Sequence, residues 1–185
     1  SEVEDLERKI EELIERAKRL VEELEERSRR LIRELEELSK KNEEDIERLI
    51  KEAKKLAEDI KDKETLRKLL DEVLKRVRDS VERSKEELER VVREDRELNK
   101  RVKDTLRKVL EDVERLVRDI EKKLTDEEMR RRVRELLKKA EEVVRRLEKD
   151  SDRVSKESED MVRELLRRNE EALRKAEEVV REIKR

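Results

Sequence analysis

The sequence predicts an all-α protein: a monomeric, up-down-up antiparallel three-helix bundle with long, nearly untwisted helices. Three observations lead there. The first is an apolar stripe that repeats every 18 residues, as in Leu6, Leu24, Asn42 and Ile60, or Ile14, Ile32 and Ile50, or Leu13, Leu31 and Leu49. Eighteen residues is five turns at 3.6 residues per turn, so the stripe returns to one angle on an undistorted helix. A seven-residue repeat would impose a left-handed supercoil and an 11-residue repeat a right-handed one. The second is composition: 61% of residues are charged, 32% are apolar, and Gly, Pro, Cys, His, Phe, Tyr and Trp are all absent. What remains is mostly good helix formers, in the proportions of long helices and coiled coils. The third is that the stripe changes phase twice, near residues 62 and 125, and each change sits beside a capping signal.

High charge with low hydrophobicity also describes disordered chains. Disorder requires no phase, however, and the apolar residues here hold one phase for about 55 residues at a time, as a helix face does. The first helix is expected near 2–61. The second opens at Asp62, an N-cap candidate followed by Leu66, and runs near 63–124 through the series Leu66, Ser84, Val102, Ile120 and Leu70, Leu88, Leu106, Leu124. The third follows Thr125-Asp126-Glu127-Glu128, which reads as a capping box with Thr125 as N-cap. It runs near 126–185 through Met129, Leu147, Leu165, Ile183 and Val144, Val162, Val180. Each is a rod of about 90 Å, and the short connections make neighbours antiparallel. The whole of 1–185 is expected to form one bundle. The rival is a single uninterrupted helix of about 280 Å assembling with copies of itself. The phase resets and the capping box argue against it.

The stripe is interrupted by polar residues near the middle of each helix. Ser28, Ser39 and Asn42 lie on the first, Ser80, Ser84, Asp95 and Asn99 on the second, and Ser151, Ser155, Ser158 and Asn169 on the third. The 18-residue series put several on core lines: Ile10, Ser28, Ile46; Val77, Asp95, Val113; Val133, Ser151, Asn169; Ala140, Ser158, Ala176. Antiparallel register sets Asn42 level with Ser84 and Asn169 as one layer. It sets Ser28 near Asn99 and Ser155, with Asp95, Ser158 and Ser151 within about a turn, as a second. An aliphatic core packs nearly as well after sliding one turn. A buried amide left without a partner costs about 1–3 kcal/mol, so such layers can fix helix register and pairing. Asp95 is expected to accept hydrogen bonds from Ser158 and a neighbouring Asn or Ser.

Other functions find little support. Metal-binding bundles use carboxylate–His motifs, and this chain has no His and one core-line carboxylate, Asp95. No metal and no cofactor are expected. Nucleophilic catalysis needs an activated nucleophile beside a base, and nothing gathers one into a cleft, so no enzyme activity is expected. The 55 basic and 57 acidic residues are interleaved, often as Glu four residues before Arg, such as Glu4 and Arg8. They form a solvated face with no basic patch for nucleic acid. No apolar run approaches the length that spans a membrane, no signal or transit segment is legible, and no Cys is present to form a disulfide. No partner is required. The alternative is a helical interaction module that completes its core with a partner or with copies of itself.

The straight 18-residue repeat, the Glu/Lys/Arg surface over a Leu/Val/Ile core, and the Asn/Ser layers together resemble a class of protein: de novo designed, parametrically built helical bundles with buried hydrogen-bond networks. The resemblance covers the whole chain. It implies a synthetic structural protein or rigid scaffold, soluble in the cytoplasm that expresses it, with no natural biochemical function. Such designs commonly place Gly in their loops, and this chain has none. Spectrin-like repeats differ by core Trp and a heptad phase. Exchangeable apolipoproteins differ by Pro punctuation and interfacial aromatic residues.

Overall fold

The computed structural model describes residues 1–185 and contains three α-helices and no strand: α1 (Glu2–Asp59), α2 (Lys63–Glu121) and α3 (Glu127–Lys184). Pair spacing along the chain gives the topology. Pairs between α1 and α3 keep a near-constant separation, 125 residues for Glu7 with Arg132 and 127 for Asn42 with Asn169. These helices are parallel. Pairs between α2 and α3 widen along α3, from 13 residues for Glu121 with Arg134 to 113 for Asp71 with Lys184, so these run antiparallel. Between α1 and α2 the separation narrows from 38 for Asn42 with Ser80 to 24 for Glu52 with Arg76, again antiparallel.

Local chemistry explains each helix end. At the start of α1 the Ser1 hydroxyl accepts the Glu4 N–H at 3.3 Å, with Glu2, Glu4 and Asp5 placing negative charge in the first turn. At the start of α2, Asp62 accepts the Thr65 N–H at 3.4 Å and the Thr65 hydroxyl at 2.6 Å. These bonds to Thr65, with a weaker one from the Glu64 N–H, hold its carboxyl below its ordinary pKa. The start of α3 departs from the expected box. Asp126, not Thr125, is the cap: its carboxylate accepts the Glu128 N–H at 3.0 Å, and its carbonyl accepts the Arg130 N–H. An Asp carboxylate at a helix start gains from the dipole as well as the hydrogen bond, and this moves the boundary one residue along.

The connections need no glycine because no residue has positive φ. The first spans only Ile60, Lys61 and Asp62, with the Ile60 N–H still bonded to the Leu56 carbonyl. After α2, the Lys123 and Leu124 N–H groups both bond the Ile120 carbonyl, and the Arg130 guanidinium donates to the Leu124 carbonyl at 2.9 Å.

The chain packs as two compact units, each taking a segment of every helix. The first comprises 1–29 and 94–157. In it, Val3, Leu6 and Ile10 of α1 pack with Val113 and Val117 of α2 and Val133 and Ala140 of α3. Further along α1, Ala17, Val21 and Leu24 meet Val102, Leu106 and Val144. The second comprises 30–93 and 158–185. There, Ile46, Leu49 and Ala53 pack with Leu70, Val73, Val77 and Val180, while Leu35 meets Leu88 and Leu165. Ala17, Ala53, Ala140 and Ala176 are all almost wholly buried. A methyl at these points leaves no room for a longer side chain without strain.

The 18-residue series lie inward along most of their length. Leu6, Leu24, Leu70, Leu88, Leu106, Val144, Leu147, Val162 and Leu165 are buried, and the terminal members Ile60, Leu66, Ile120 and Ile183 are half-buried. Met129, expected to open the third series, is instead exposed. It lies in the first turn of α3.

Candidate functional site

The chemistry with most scope in this chain is in the polar residues of its core. In the second unit four side chains from all three helices form one hydrogen-bonded chain. The Ser80 hydroxyl of α2 donates to Asn42 Oδ1 of α1 at 2.5 Å. Asn42 Nδ2 donates to Asn169 Oδ1 of α3 at 3.3 Å. Asn169 Nδ2 donates to Ser84 Oγ of α2 at 2.8 Å. Asn169 is 1% exposed, and Asn42 and Ser84 are also buried. Each amide therefore uses its oxygen on one neighbour and its nitrogen on another. Flipping one amide alone would set like groups face to face, so the two orientations are locked as a pair.

Helix geometry supplies this arrangement. Ser80 and Ser84 are four residues apart, on one face of α2, and so reach the two amides from one side. Antiparallel α2 and parallel α3 bring Ser84 and Asn169 to the level of Asn42. Leu88 and Leu165 lie in one adjoining apolar cluster, and Ile46, Leu49 and Val77 in another. Water is therefore a poor competitor for the two bonds of Asn169, which the low local dielectric strengthens, while Ser80 is half-buried and borders the surface cleft between α1 and α2.

In the first unit the fully buried Ser151 hydroxyl donates to Asn99 Oδ1, joining α3 to α2. Ser28, Asp95 and Ser155 are buried in this unit as well, and Ser158 is buried in the second. Of the nine residues that the sequence assigned to the two layers, eight are buried and Asn99 is half-buried. Ser80 is the one the layer assignment missed. Its signal was its four-residue spacing to Ser84, which places both hydroxyls on the same face. Ser39, on the same stripe, is 2% exposed and its hydroxyl makes no hydrogen bond.

The surface offers less. In the second unit, a cleft of about 470 Å³ lies between α1 and α2, lined by Asp45, Arg48, Leu49, Glu52, Arg76 and Asp79 among others. Four of its charges pair, Arg76 with Glu52 at 3.2 Å and Arg48 with Asp45. Elsewhere Arg132 bridges to Glu7 at 2.6 Å, and Arg168 to Glu43 at 3.0 Å. Each such exposed pair adds at most about 1 kcal/mol. No group of three or more His, Cys, Asp or Glu side chains is placed to hold a metal ion. No helix is long and apolar enough to cross a membrane.

No protein-family profile matches the chain, and no curated protein matches it. Among solved structures, it is similar to one described as a computationally designed three helix bundle, with a TM-score of 0.51 and 22% identity. That likeness covers 99% of this chain and 89% of the other. The chain therefore has the three-helix-bundle fold.

Proposed function

We propose that this chain is a designed structural protein: a monomeric, water-soluble scaffold with no substrate, no cofactor and no required partner. On this reading 1–185 acts as one bundle, and the polar residues of its core fix the register of the three helices. The observation that carries it is the chain of hydrogen bonds from Ser80 through Asn42 and Asn169 to Ser84. It touches all three helices at once, so sliding any one by a turn, about 5.4 Å, breaks at least one bond in a place that water does not reach. The small residue alphabet, the 18-residue repeat and the likeness to a computationally designed bundle support the same reading. Asn99 with Ser151, together with Ser28, Asp95, Ser155 and Ser158, would act likewise, with specificity as their contribution more than stability.

The test replaces Asn42 and Asn169 with Leu and Ser80 and Ser84 with Ala in one chain. The reading expects light scattering to give 22.7 kDa for the parent. It expects the all-apolar variant to be at least as resistant to denaturant as the parent, but to show doubled or broadened amide resonances from alternative registers. A variant with one sharp set of resonances and the parent's interhelical contacts would show that the polar layer does not select register.

A further inference from the structure

We infer that the first connection, Ile60–Asp62, is a hinge through which two copies of this chain exchange α1. The inference rests on the closed, monomeric reading above and adds a second state to it. The connection is three residues long, contains neither Gly nor Pro, and has no residue at positive φ. Each of its residues is therefore tolerated inside a helix.

Running the helix through improves its surroundings. The last turn of α1 carries no basic residue, so Glu58 and Asp59 face the negative end of the helix dipole. In a continuous helix Glu58 lies three residues before Lys61, and Asp59 four before Lys63, both favourable spacings. What holds the turn closed is the Asp62 cap on Thr65. The second connection is better tied. It has the Asp126 cap, the Arg130 bond to the Leu124 carbonyl, and Arg118 in the last turn of α2.

With the hinge open, α1 of one copy packs on α2 and α3 of the other. The contacts that α1 makes in the closed form are then remade between chains, including Asn42 with Asn169 and Ser80, while those between α2 and α3 stay within each chain. Exchange of an identical element costs no native contact beyond the Asp62 cap at the hinge, and needs only concentration and a hinge that can straighten.

The experiment refolds the full chain from denaturant at low and at high concentration and measures mass by light scattering after chromatography. A monomer of 22.7 kDa is expected at low concentration. At high concentration a species of twice that mass is expected, and it persists when the folded protein is diluted. Asp62→Ala should raise the dimer association constant about tenfold or more, since two caps are released per dimer. Lys61→Gly, which disfavours helix through the hinge, should lower it. Two differently tagged chains should form mixed dimers when refolded together and not when mixed already folded. Monomer at every concentration in both the parent and Asp62→Ala, with helical circular dichroism intact, would overturn the hinge while leaving the scaffold reading in place. A dimer that dissociates freely on dilution would also overturn it. A dimer already present after folding at low concentration would overturn the monomeric reading itself.

Discussion

A double-mutant cycle on Asn42 and Asn169 gives the sharpest energetic prediction. Asn169 is almost fully buried, accepts from Asn42 and donates to Ser84. Truncation to Ala strands the Asn42 N–H with no water to take it, at a cost of about 1–3 kcal/mol. The vacated volume adds a cavity term, so Asn169→Ala should lose about 2–4 kcal/mol in all. Asn42→Ala strands the Asn169 carbonyl oxygen and frees the Ser80 hydroxyl, which can turn back to a carbonyl one turn earlier on its own helix. It should cost about 2–3 kcal/mol. The double variant removes both amides, so neither strands the other. Its loss should fall short of the sum of the single losses by about 1 kcal/mol or more. The assay is equilibrium unfolding in guanidinium chloride, with the slope compared among all four proteins, since a changed slope would signal a changed denatured or native state. Losses that simply add, within about 0.5 kcal/mol, would show that the two amides are not energetically coupled.

Two further outcomes follow from single residues. Ser39→Ala removes a buried hydroxyl that makes no hydrogen bond and should raise stability by about 1 kcal/mol, seen as a higher denaturation midpoint at unchanged slope. The Asp62 carboxyl, held below its ordinary pKa by its bonds to Thr65, should titrate in an NMR experiment at lower pH in the parent than in Thr65→Ala. Because the folded value is the lower one, the contribution of this cap is fully present above the unfolded pKa, near 4, and is lost as pH falls through the folded value.

The fold was legible because one physical constraint governs most of the chain. A residue at i, i+18 shares a helix angle, so Leu70, Leu88 and Leu106 had to face inward together, and all three are buried. The same arithmetic carried polar members such as Asn42 and Asn169 into the interior, where a side chain of that kind needs a partner. Pairing within the layer was less legible. Level positions set which residues are near, but side-chain reach and amide direction set which bonds form. That is why Ser80 enters the Asn42 layer although Ser84 is the residue level with it. Helix ends escaped for a related reason. Thr125 and Asp126 are both capable caps, and only the backbone path decides between them. Met129 sits in phase with the core, yet phase gives an angle and not a depth, and in the first turn of α3 it stays exposed.

The central claim is that Asn42 and Asn169 meet in the interior and hold each other. The most direct measurement is NMR of their side-chain amides in the intact protein. The account predicts a nuclear Overhauser effect linking the Asn42 Nδ2 protons to Asn169, and slow solvent exchange for both side-chain amides. Rapid exchange at the rate of a free amide, or Overhauser contacts from Asn42 to residues a turn away from Asn169 and not to Asn169 itself, would contradict it.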